Sequence, residues 1–134
     1  LIGILAAVAL PRMFDATGFR SQGFYDEVVN AARYGHKLAV ASGCAVQLSV
    51  SGGGFALSQL QNCNDSSSGF SRPVPRPAGS GAFAAAAPSG VNLSTTDAAV
   101  VFDSLGRATP GGVTVTVDGR SFAIHGESGY VDSP

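Results

Sequence analysis

Tryptophan is absent from this chain, methionine occurs once, and only 13% of its 134 residues are charged. Eight basic residues stand against nine acidic ones. Neither sign builds a field that would draw in nucleic acid or an acidic substrate. The two histidines have no partners at metal-ligand spacing, so a zinc centre is not expected. His36 is expected on the solvent side of a helix and His125 at the end of a strand. Asn62 and Asp65 offer two oxygen ligands, too few to define a calcium site. There is no Gly-x-Ser-x-Gly elbow. Gly79-Ser80-Gly81 follows a proline-rich stretch instead of a strand, so it does not open a dinucleotide-binding unit. The chain reads as non-enzymatic and without a cofactor.

A full membrane span takes about 20 apolar residues, and no run of that length occurs. Leu1–Leu10 is instead an uninterrupted apolar run of ten, closed by Pro11-Arg12. We expect it to be the C-terminal half of a membrane helix. A secretory signal peptide would show a basic stretch before the run and a small-residue cleavage site after it. Neither is seen: Pro11-Arg12-Met13-Phe14 follows. A buried N-terminal helix of a soluble protein and a signal-peptide remnant are the alternatives. The expected organisation is an anchor over residues 1–20 and a globular head over residues 21–134.

Eighteen glycines and seven prolines indicate many turns. From Ser21 to Ser42 the pattern is helical. Phe24, Val28, Ala31, Ala32, Gly35, Leu38 and Ala39 fall on one narrow stripe at spacings of three and four. Phe24, Val28, Ala32, Leu38 and Ala39 are expected to face a β-sheet. Gly18 and Gly23 are expected to mark a weak point or a bend, not a domain boundary. The stretch Cys44-Ala-Val-Gln-Leu-Ser-Val50, a glycine triplet and Phe55-Ala-Leu-Ser-Gln-Leu60 predict a hairpin turning at Gly53-Gly54. That register pairs Val50 with Leu57, Leu48 with Gln59 and Cys44 with Cys63. Opposed cross-strand residues lie about 4.5–5.5 Å apart, within disulfide range. A Cys44–Cys63 bond would stabilise the head by about 3 kcal/mol in the chain-entropy account and implies an oxidising compartment.

Residues 62–81 read as a long polar loop free for partner contacts. Short strands are expected at 91–93, 99–102, 113–117 and 121–125, the last two joined by an Asp118-Gly119 type I′ turn. One long helix followed by about six strands predicts an α+β fold, a long N-terminal helix packed on an antiparallel sheet.

Three segments together resemble the type IV pilin-like superfamily. They are the aliphatic run closed by Pro11, the helix Gly23-Phe-Tyr-Asp-Glu-Val-Val-Asn-Ala-Ala-Arg-Tyr34 continuing through Lys37–Ala41, and Val101-Phe-Asp-Ser-Leu-Gly-Arg107 with Gly126-Glu-Ser-Gly-Tyr-Val131. The latter two are similar to GspH/FimT-type minor pilins and pseudopilins. The helix, the cysteine pair and Phe102–Arg107 also resemble minor pilins of the mannose-sensitive haemagglutinin (MSHA) type. The resemblance implies a pilin-like fold and a scaffold role: initiating or capping a type IV pilus or a type II secretion pseudopilus. It implies prepilin cleavage, N-methylation and a single-pass inner-membrane stage with the head in the periplasm. Leu1, Ile2, Ile4, Leu5, Val8, Leu10 and Pro11 would then lie in the membrane and later in the filament core. The implied partners are other pilins or pseudopilins, the inner-membrane assembly platform and inner-membrane lipid. Some FimT-type pilins bind DNA through a C-terminal arginine-rich motif. The matching stretch here, Gly126–Tyr130, has a glutamate and no arginine. Arg72, Arg76, Arg107 and Arg120 are scattered, and phosphate binding usually takes clustered cations, so nucleic acid is not an expected partner. A periplasmic adhesin or binding module, working through the proline-rich loop, is the other alternative.

Overall fold

The computed structural model describes residues 16–79 and 81–133. Leu1, Ile2, Ile4, Leu5, Val8, Leu10 and Pro11 lie outside them. The first element is a single 27-residue helix, α1 (Ala16–Ser42). It runs unbroken through Gly18 and Gly23, where a bend was expected. One glycine costs a helix about 1 kcal/mol relative to alanine, and the apolar contacts that begin at Phe24 exceed that. The helix stops at Gly43, whose positive φ of 68° and N–H bond to the Ala39 carbonyl form a left-handed cap.

Ten short strands follow in two sheets. They are β1 (Val46–Ser51), β2 (Gly54–Gln59), β3 (Arg72–Pro73), β4 (Ala84–Ala86), β5 (Leu93–Thr95), β6 (Ala99–Phe102), β7 (Ala108–Thr109), β8 (Val113–Val117), β9 (Arg120–Ile124) and β10 (Val131–Asp132). The larger sheet runs β3-β2-β1-β6-β7, with β4 also paired to β2. The smaller runs β10-β9-β8-β5. Every pairing is antiparallel. The fold is a long N-terminal helix packed on antiparallel sheets.

The presence of two sheets explains why the buried face of α1 is wider than one stripe. Phe24, Val28, Ala31, Ala32 and Ala39 are buried, as are Tyr25 and Val29. Leu38 packs half-buried at the margin. Phe24 meets Phe55 of β2, while Tyr25 sets its ring edge-on to Phe122 of β9 and donates its hydroxyl to the Ser121 carbonyl. Inward residues of both sheets, Leu48, Leu57 and Phe102 from one and Val115, Phe122 and Ile124 from the other, join this face in one core.

The β1–β2 hairpin forms in a register two residues from the expected one. Val50 pairs with Phe55, Leu48 with Leu57 and Val46 with Gln59, so the turn residues are Gly52-Gly53. A shift by two leaves every side chain on its original face, so the alternation of apolar residues does not discriminate between the registers. Gly54 does. A Cβ there would fall 2.3 Å from the Ala85 carbonyl oxygen of β4, at a φ of 150°. The close crossing of β4 therefore places Gly54 in the strand and outside the turn.

Candidate interaction surfaces

The described residues show how the loops are tied to α1 and which side chains remain exposed. Around the C-terminal half of α1, two loops close onto His36. In the first, Asp103 organises the β6–β7 turn. Its Oδ1 accepts from the N–H groups of Leu105 and Arg107, and its Oδ2 accepts from Arg107 Nε. Burial works against the charged form of Asp103. The hydrogen bonds from the Arg107 backbone and side chain and from Leu105 outweigh it and hold the carboxyl below its ordinary range. The second loop, Gly126–Val131, returns its chain through the Gly129 N–H bond to the His125 carbonyl.

His36 is the pin between them. It is half-buried, not on the open solvent face expected for it. Its Nε2 lies 3.0 Å from the Ser128 carbonyl, and its ring meets Phe102 edge-on. Sequence periodicity missed this because both contacts come from residues more than sixty positions away. The remaining clue was the two glycine-containing loops themselves. Val40, Leu105 and Tyr130 stay exposed around this clasp, with Phe19 the fourth large apolar residue exposed among the described residues. A groove of about 400 Å³ runs beside it, lined by Arg33, His36, Lys37 and Tyr130.

Most of the described residues of segment 62–81, expected to be a free loop, are exposed, but the chain is tied to the head at Arg72–Arg76. Beyond Leu60 the chain closes a small loop on itself, with Gln61 N–H bonded to the Gly69 carbonyl and Asn62 N–H to Ser68 Oγ. Asn62 Oδ1 accepts from Asn64 N–H, and Asp65 Oδ1 accepts from the Ser67 N–H and hydroxyl. The Ser67 side-chain and backbone bonds lower the Asp65 pKa. Among the described residues, no three metal-ligating side chains converge. Next, Arg72-Pro73 pairs with the end of β2, Val74 is buried, and Pro75 bridges to Ala82. Arg76 then reaches α1, bonding Glu27 at 3.0 Å, donating to the Ala84 carbonyl and lying over the Phe83 ring.

The four arginines considered for phosphate binding all have protein partners. Arg72 donates to Gln59, Arg76 to Glu27, Arg107 to Asp103 and Arg120 to Gln22, with the Arg120 guanidinium over the Tyr25 ring. Cys44 and Cys63 are joined by a disulfide with a Cα–Cα distance of 5.0 Å. They are not an in-register cross-strand pair, because Cys63 lies past the end of β2 in the self-closed loop. Cys44 is buried and Cys63 exposed.

At the other end, α1 projects from the head. Gly18, Phe19 and Arg20 are exposed, and Phe19 keeps 79% of its surface open. Among the described residues, no helix is long and apolar enough to cross a membrane.

No protein-family profile and no curated protein sequence matches the chain. Solved structures do. Its fold is similar to that of the type IV minor pilin FimU of Pseudomonas aeruginosa, with a TM-score of 0.64 at 13% identity, covering 84% of this chain and 87% of that one. It is equally similar to the minor pseudopilin EpsH of the Vibrio cholerae type 2 secretion system, with a TM-score of 0.65 at 11% identity over 85% and 94%. This is the minor-pilin fold. The likeness covers more than four-fifths of this chain at low identity, and it is a likeness of fold. In a fold of this kind, the projecting Phe19 end and the clasp around His36 are the two ends of one helix, the first open and the second tied down.

Proposed function

We infer that this chain is a non-enzymatic minor subunit of a type IV pilus or of a type II secretion pseudopilus. The observation that carries this reading is the likeness to both a minor pilin and a minor pseudopilin over more than four-fifths of the chain. The exposed start of α1 supports it, because a helix that leaves its own domain at Phe19 needs a second environment to pack into. The apolar run Leu1–Leu10 offers a surface suited first to inner-membrane lipid and then to neighbouring helices. In this reading the head lies in the periplasm, the partners are other pilins or pseudopilins and the assembly platform, and the subunit helps to start or cap a filament. The four arginines that the DNA-uptake reading would use each have a protein partner and are not clustered for phosphate binding in sequence. The adhesin reading would rest on the exposed residues of 62–81, with Val74 buried and Arg76 bonded to Glu27.

Deleting the gene tests the proposal. Loss of surface pili or of type II secretion, restored by the wild-type copy, is the expected result. Normal pili together with normal secretion would contradict it.

A further inference from the structure

Arg72, in the short strand β3 beside the end of β2, carries its guanidinium to the disulfide. Its Nη2 lies 3.3 Å from Cys63 Sγ and 3.6 Å from Cys44 Sγ, against the disulfide itself. Gln59 holds the guanidinium there through Oε1 at 3.2 Å, while its own Nε2 donates to Ser42 Oγ at the end of α1. Among the described residues, no other cation bonds either sulfur. The two cysteines differ in access: Cys63 is exposed in the loop after β2, whereas Cys44, two residues before β1, is only 1% exposed. A thiolate formed at Cys44 would sit in a dry site that disfavours charge. Arg72 supplies the compensating charge.

We propose that the Cys44–Cys63 bond is a directional thiol–disulfide exchange site for dithiols, attacked at Cys63 with Arg72 stabilising Cys44 as the leaving thiolate. One thiolate of the incoming dithiol attacks Cys63 Sγ. A new S–S bond forms there, the Cys44–Cys63 bond breaks, and its electron pair leaves on Cys44 Sγ beside the guanidinium. The second thiolate of the dithiol then attacks its own sulfur in the mixed disulfide, closing the reagent into a disulfide and releasing Cys63. The protein gains two electrons, the dithiol loses them, and the dithiol's two protons end on the protein thiols. Exchange rates rise as the leaving thiol's pKa falls, so Arg72 acts on the rate while taking no part in bonding. The consequence is local. Loop 61–71 keeps its internal hydrogen bonds but loses its covalent link to Cys44.

The test uses the full chain in a mild detergent, with dithiothreitol as the dithiol and glutathione as a trapping monothiol. Arg72→Met keeps most of the stem and removes the charge. It should slow reduction by dithiothreitol about three- to tenfold, given the usual effect of a neighbouring cation on a thiol and the exposure of this one. Arg72→Lys should recover part of the rate. In the unaltered chain, acid-quenched glutathione adducts should map to Cys63. Reoxidation of the reduced chain by glutathione disulfide should be half-maximal below pH 8.5, the ordinary range for a free thiol. Equal rates for Arg72→Met and the parent, adducts on Cys44, or a reoxidation midpoint at or above that pH would each overturn the proposal. The last two measurements require no variant to fold.

Discussion

Gly129 packs against His36 with no room for a side chain between them. A Cβ at position 129 would fall 2.4 Å from His36 Cδ2 and 2.1 Å from the Gly106 carbonyl oxygen, at a φ of 67° that already disfavours an L side chain. A similar contact lies nearby, where a Cβ on Gly126 would come within 2.8 Å of Gly111 Cα. Gly106 and Gly129 thus bring the two loops onto His36 of α1 with no side chain between, and Gly126 packs its loop on the β7–β8 turn.

Gly129→Ala tests the clasp. It adds a methyl where backbone and imidazole already touch, so the head should lose about 2–4 kcal/mol. Urea denaturation of the variant and parent measures it. A loss under about 0.5 kcal/mol would mean that the loops do not close onto His36 as described.

Gly23→Ala should act in the opposite direction. Gly23 is helical and exposed, and a Cβ there meets nothing within 4 Å. Alanine restricts the unfolded chain and favours the helix, a gain of about 0.5–1 kcal/mol. The melting temperature should rise by about 2–4 °C. A fall would indicate that α1 does bend at this glycine.

Much of the architecture was legible from residues whose signal is local. The spacing of Phe24, Val28, Ala32 and Ala39 indicated a helix with a buried face, and Asp118-Gly119 indicated the β8–β9 turn, which forms with φ of 48° and 82°. Features set by distant partners were not legible. Tyr25 and Val29 were missed because the apolar stripe was drawn for one sheet when two pack on the helix. The hairpin register depended on β4 crossing at Gly54, thirty residues downstream. Arg76 looked like a loop cation because nothing in its neighbourhood names Glu27 as its partner. Helix and turn are written in neighbouring residues, whereas the ties that hold loops to the helix come from sequence separations that no local pattern carries.

Ala32→Glu tests the placement of the helix face. Ala32 has no exposed surface, so a glutamate there buries an unpaired carboxylate against the sheets. The expected cost is about 3–5 kcal/mol, read as a loss of cooperative unfolding or a large drop in melting temperature. A melt that matches the parent would place this face elsewhere.

Asp103 gives the head a defined sensitivity to acid. Its folded pKa is lowered from 3.8 because the Arg107 and Leu105 hydrogen bonds outweigh the effect of burial. The stabilisation is therefore complete above the unfolded value and is lost as pH falls through the lowered folded value. Asp103→Asn should be less stable than the parent at neutral pH, and the gap should close as pH falls through the lowered folded value of Asp103. Urea midpoints across an acid titration measure it. A gap that does not change with pH would show that the Asp103 charge has no part in holding the turn.

Crosslinking from Phe19 tests the central claim most directly. A photoreactive phenylalanine analogue at this position sits on the exposed, projecting end of α1. Irradiation in cells that assemble pili or secrete through a type II system should trap adducts with the N-terminal apolar helix of another pilin or pseudopilin. Irradiation that yields only the uncrosslinked chain, or adducts with unrelated proteins, would contradict a filament subunit.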